Sequence, residues 1–155
     1  MNWIFGAFLG ASLFHMGEEY FYPGGFMDFM KHLNPKFAPL VTKPMAIVVN
    51  GLQLLLCIMV MIVGKRAPIF GLSVAALLFI NGLSHIMGCI KAKGYAPGVI
   101  TGILLYIPLS IYAYFLAIGS GLLNVDAVLI TGVLGLLYQA VPLGYFVLAS
   151  VMKRA

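Results

Sequence analysis

Residues 2–22, NWIFGAFLGASLFHMGEEYFY, form an apolar run of membrane-spanning length with an imidazole and two carboxylates set into its last third. About 20 helical residues cross a hydrocarbon core of about 30 Å. Ionisable groups at that depth are costly and turn toward the bundle interior, so they mark a functional site. Glu18 and Glu19 follow His15 by three and four residues, which puts all three side chains within an arc of about 100° on one helix face. The run therefore predicts a membrane helix and a polar site together.

Outward from it, four more runs have the length and apolarity of spans: about 44–64, 68–90, 97–118 and 126–152. Three open on a proline (Pro44, Pro68, Pro97), which a first helical turn tolerates. Pro23-Gly24-Gly25 ends the first run, and Gly119-Ser120-Gly121 separates the fourth from the fifth. Between the first two, Phe26, Phe29, Met30 and Leu33 recur at helical spacing, with Asp28, Lys31 and His32 on the other side. That pattern predicts a short helix lying in the interface, the alternative being an irregular loop stiffened by Pro35 and Pro39. The expected fold is an all-α integral membrane bundle of five transmembrane helices with this interfacial helix after the first, in a single domain spanning 1–155.

Composition agrees. The chain is 63% hydrophobic and 8% charged, with a mean hydropathy of +1.07, where soluble domains carry about 25% charged residues. The net charge of +5 does not describe a nucleic-acid face, because the basic residues lie almost entirely between apolar runs. Lys31, Lys36, Lys43, Lys91, Lys93, Lys153 and Arg154 fall on one side of the expected topology, and only Lys65 and Arg66 on the other. The positive-inside rule then puts the N-terminus outside and the C-terminus in the cytoplasm, in a bacterial-type inner or plasma membrane. No basic n-region or small-residue cleavage site marks the first run as a signal peptide. Cys57 and Cys89 read as small core residues. Asn50-Gly51-Leu52 and Asn81-Gly82-Leu83 lie in oppositely directed helices and are not a repeat. Gly6-x-x-x-Gly10 and Gly98-x-x-x-Gly102 read as small-residue seams for close helix packing.

Counting from the span ends brings polar residues of three helices to one depth. His15 lies about 10 Å from the cytoplasmic end of its run at 1.5 Å per residue. Glu18, Glu19, Asn50, Gln53, Asn81 and His85 fall in the same slab. Asn81 and His85 are four residues apart, one above the other, with Cys89 a further turn on. Tyr106, Tyr138 and Gln139 come nearer mid-depth; the tyrosines read as packing residues with a bonded hydroxyl. His32 reads as a solvated loop residue.

His15-x-x-Glu18-Glu19, followed by Asn81-x-x-x-His85, resembles the HXXEE-motif family of small membrane proteins. The resemblance covers most of the chain. It implies these residues as the site and implies no activity, since the family has none assigned.

Three function classes fit the cluster. In the first, His15, Glu19 and His85 hold a divalent metal, zinc or iron, with Glu18 as general base and Asn50 and Asn81 orienting a lipidic substrate. The spacing is analogous to the H-x-x-E-H metalloprotease motif, with Glu as the second ligand. In the second, the site is metal-free, and two crowded carboxylates share a proton for acid–base isomerisation. In the third, the polar residues relay protons or small solutes, for which homo-oligomers would supply the missing symmetry. The plain alternative is a carboxylate pair wetted at the headgroups and paired with Lys31 or Lys91. The expected partners are the bilayer and a lipidic substrate, with no nucleic acid.

Overall fold

The computed structural model describes residues 2–22, 24–64 and 66–152. Pro23, Lys65, Lys153 and Arg154, which enter the sequence reading of the first reversal and of the charge balance, lie outside them. The described residues form α1 (Asn2–Phe21), α2 (Gly25–Leu33), a 3-10 segment (Pro35–Leu40), α3 (Lys43–Val63), α4 (Pro68–Ala92), α5 (Val99–Gly119) and α6 (Val125–Met152), with no strand among them.

Local chemistry sets the ends. Thr42 caps α3 by accepting from the Met45 amide at 3.4 Å, and Asn124 caps α6 by accepting from the Ala127 amide at 2.9 Å. Pro68 opens α4, which closes on Lys93 in the left-handed conformation (φ 51°), with Lys91 in its last turn beside the negative end of the helix dipole. The predicted helix after the first span is α2, with Lys31 and Asp28 paired at 3.1 Å on its outer side.

Among the described residues, four helices, not five, are long and apolar enough to cross a membrane: α3, α4, α5 and the Val125–Pro142 part of α6. The helix expected as the first span forms over its predicted length, but His15, Glu18 and Glu19 take it below the apolarity of the others. The five-span expectation is corrected accordingly. The residues that made the run worth reading are the ones that disqualify it on hydropathy.

α4 is the central helix: 56% of its apolar window is buried, against 17–28% for the other three. Around it the bundle is packed through small residues. A Cβ on Gly82 would lie 3.1 Å from the Gly102 carbonyl oxygen, so α4 and α5 cross with their backbones in contact. Gly135 sets α6 against Ala76 of α4 in the same way. α1 runs alongside α4 in the same direction. The Phe5 ring fills the space a side chain on Gly64 or Gly71 would need, and His15 meets His85 near the opposite end. α1 runs antiparallel to α3, with Ser12 beside Cys57 and Glu19 beside Asn50. Gly98-x-x-x-Gly102 does serve close packing, but the Gly6-x-x-x-Gly10 seam does not. Nothing lies within 4 Å of where a side chain on Gly6 or Gly10 would begin.

α5 is irregular in one place. Residues Gly102–Tyr106 form a π-helical turn, a feature frequent at functional sites. Thr101 and Tyr106 both meet His15 across it. In an undisturbed α-helix, five residues would place them about 140° apart. The wider turn brings them closer to one face.

Candidate metal centre

Three side-chain atoms converge inside the bundle: Nε2 of His15, Nε2 of His85 and Oε1 of Glu19. Their separations are 3.1 Å between the imidazoles, 3.3 Å from His85 to Glu19 and 3.5 Å from His15 to Glu19. All three residues are buried, at 1%, 4% and 8% exposure for His15, His85 and Glu19. Together they form a group of ligand atoms able to hold one metal ion. The dimensions suit it, because a tetrahedral zinc ion with ligands at about 2.0–2.1 Å holds them about 3.3–3.4 Å apart.

The surroundings fix which atoms carry lone pairs. The Thr101 hydroxyl lies 2.6 Å from Glu18 Oε2 and 2.8 Å from His15 Nδ1. The hydroxyl has one proton and the carboxylate can only accept, so Thr101 donates to Glu18 and accepts from His15 Nδ1–H. His15 is thereby held in the tautomer whose Nε2 is an unprotonated acceptor aimed at His85 and Glu19. Partners of this sort, a step behind the ligands, are what orient metal-binding histidines. The His15 ring is also stacked on Tyr106, with centroids 4.4 Å apart, while Phe26 from α2 lies against the His85 ring at 5.2 Å. His85 Nδ1 is buried without a partner among the described residues, so a neutral His85 either donates from Nε2 to His15 and Glu19 or, with its proton on Nδ1, adds a second lone pair for a cation to share.

Glu18 has a different place from the one its neighbour takes. Its carboxylate accepts from the Ile100 and Thr101 amides at 3.0 and 2.8 Å, from the Thr101 hydroxyl, and from the Tyr95 hydroxyl. The two amides belong to the first turn of α5, whose N–H groups have no partner within the helix. Glu18 thus caps α5 from another helix and satisfies the positive end of its dipole. With four donors on two oxygens it is positioned to hold Thr101 rather than to act as a free general base. Burial, and then the adjoining Glu18 carboxylate, raise the pKa of the Tyr95 hydroxyl, which therefore stays a donor. Neither Lys31 nor Lys91 pairs with the carboxylates; they meet Asp28 and Asn34.

Asn50 reaches the other oxygen of Glu19, with its amide nitrogen 3.5 Å from Oε2. Asn81 lies one turn deeper than His85 with its amide oxygen buried and unpaired, so it shares the layer without touching the triangle. Gln53 donates to the Tyr106 hydroxyl at 2.6 Å and supports the ring under His15. Tyr138 meets Ser73 instead, and Cys89 accepts from the Ala96 amide. Residue reasoning missed Thr101 and Tyr95; it read Tyr106 as a packing residue with a bonded hydroxyl, which the Gln53 contact matches, without the stacking on His15. It also read Gly98 as a packing residue. That glycine has φ +95°, and a Cβ there would stand 2.6 Å from the His85 ring and 2.8 Å from the His15 ring. A glycine with a helix start behind it was the available signal for Gly98, and nothing in the sequence pairs Thr101 with Glu18.

A cavity of about 430 Å³ opens beside the centre, with Glu19, His85, Asn50 and Asn81 at its polar part and Phe29 and Met30 of α2 among its apolar walls. The apolar side of α2 thus faces this cavity. No curated protein and no solved structure is similar to the chain. One family model matches residues 6–113, which include the whole constellation: the chain belongs to the family described as proteins of unknown function with an HXXEE motif.

Proposed function

We propose that His15, Glu19 and His85 hold one divalent metal ion, zinc or iron, and that the chain is a membrane-embedded, metal-dependent enzyme acting on a lipidic substrate. The observation that carries this is the triangle of ligand atoms at 3.1–3.5 Å, with His15 locked by Thr101 so that its lone pair points inward. A divalent ion would balance the charges of Glu18 and Glu19, leaving a buried centre of no net charge, which lowers its desolvation cost. Three protein ligands leave a further coordination position, the arrangement of catalytic rather than structural zinc. Two of the ligands line the cavity, so a substrate there has access to that position. The ion would supply a polarised substrate oxygen or a water of lowered pKa. Asn50 would steady Glu19, Glu18 would act through Thr101 on His15, and Asn81 would face the substrate.

α1 completes the bundle in this reading. It runs beside α4 from Gly71 to His85 with His15 and Glu19 turned inward, so its polar groups are satisfied within the bundle. The loop lysines then put its start outside and the metal layer toward the cytoplasmic leaflet.

Metal analysis tests the reading. Protein expressed with zinc and iron supplied, then purified in detergent, is expected to carry about one ion per chain, and His85→Ala none. Metal-free wild-type protein overturns it and leaves a proton as the cation in the triangle, the acid–base or relay alternative.

A further inference from the structure

We infer that the cavity beside the His/Glu centre takes a single-chain amphiphile with an anionic head, carboxylate or phosphate, held at Lys91. This names the substrate class for the centre just proposed and rests on that reading only for what happens to the substrate, not for its binding.

The argument is one of charge and direction. The cavity follows one side of α4 from Asn81 through Ser84 and His85 to Lys91, ten residues or about 15 Å. Its walls are mostly apolar, contributed by α2, α3 and the Met87 and Pro142 side chains, and at about 430 Å³ it has the size of a small-molecule site. Besides His85, two lining residues carry charge-bearing groups. Glu19 is buried, with one oxygen turned to the imidazoles and the other to Asn50, so its charge is not offered to a ligand. Lys91 is exposed at the end of the helix, and among the described residues its ammonium donates to the Asn34 amide oxygen alone, at 3.0 Å. The charge presented at the mouth is therefore positive, while the interior is apolar with polar groups at one level. A linear molecule fits this in one sense: anionic head at Lys91, chain inward. His85 is six residues from Lys91, which places the metal-side group of the substrate about 9 Å down the chain from the head.

The test compares hexadecanoate, hexadecyl phosphate and 1-hexadecanol, at equal mole fraction in neutral detergent micelles, on the full chain. Binding is read from the shift in thermal unfolding midpoint, and metal content is measured on the same samples. At least one of the two anions is expected to bind about fivefold tighter than the alcohol, an advantage that shrinks with added salt. Lys91→Gln should remove the advantage and leave alcohol binding unchanged, while Lys93→Gln, equally exposed on the same turn, should not. Equal binding of alcohol and both anions by the wild type overturns the inference, and so does an anion preference that survives Lys91→Gln. Wild-type protein stripped of metal with a chelator is expected to keep the preference, so a failed metal reading leaves this result standing.

Discussion

The two ends of the bundle treat their polar groups in opposite ways. At the end where α1 starts, Tyr114 donates to Thr131 at 2.6 Å, Thr131 turns back to the Ala127 carbonyl at 2.9 Å, and Ser73 bonds the Phe70 carbonyl at 2.8 Å. Each pairs with its own helix or an adjacent one, and Phe5 fills the space left by Gly64 and Gly71. At the other end, ligand atoms of His15, Glu19 and His85 converge on one another, the His15 Nδ1 proton is taken by Thr101, and His85 Nδ1 and the Asn81 amide oxygen are buried without a partner among the described residues. Closed pairing is what interhelical glue looks like in a membrane. Convergent ligand atoms are what a cation site looks like, and the contrast within one small protein makes the second reading stronger.

Substitutions at four positions would break or sharpen that contrast. The largest effect belongs to His15→Ala, which removes a ligand. Bound metal should fall from about one ion per chain to background, while circular dichroism keeps the helical signal. Gly71→Ala strikes the closed end. Its methyl would stand 2.7 Å from the Phe5 ring, so overpacking should cost about 1–3 kcal/mol in thermal or denaturant unfolding, with metal per folded chain unchanged. Thr101→Val releases His15 Nδ1 and should weaken metal affinity about 10–100-fold in competition with a chelator, and Thr101→Ser should recover most of it. Tyr114→Phe should do least, about 0.6 kcal/mol of stability and nothing to the metal. A Tyr114→Phe variant that lost metal, or a His15→Ala variant that kept it, would erase the distinction between the two ends.

The sequence carried the parts of this that depend on period and depth. Helical spacing put His15 and Glu19 on one face, and counting residues from the span ends brought His85 and Asn50 to their level. Those are one-dimensional quantities, and the Glu19–Asn50 and His15–His85 contacts follow them. What could not be read depends on how helices are rotated and offset. Glu18 and Glu19 are neighbours of the same type, yet one caps α5 and the other joins the triangle, because α5 begins beside only one of them. Thr101 lies 86 residues from His15 and looks like any threonine in a first helical turn. The Gly6/Gly10 stripe has the spacing of a seam but no helix arrived to use it. Hydropathy sets α1 apart from the four apolar helices because His15, Glu18 and Glu19 lower its average. A scale that averages over a window cannot tell a polar group facing lipid from one facing a partner.

The wide turn at Gly102–Tyr106 has a consequence for how this centre could be altered over time. It works as a phase adjuster in α5. The half that follows keeps Ser110, Ala113 and Ala117 buried in the bundle, while the half before it is set by Glu18 and the two imidazoles. Because the wide turn holds one residue more than an α-helical turn, loss of a single residue there would leave an ordinary α-helix in which Thr101 and Tyr106 lie about 40° apart, still on nearly one face, with the half beyond them close to its present phase.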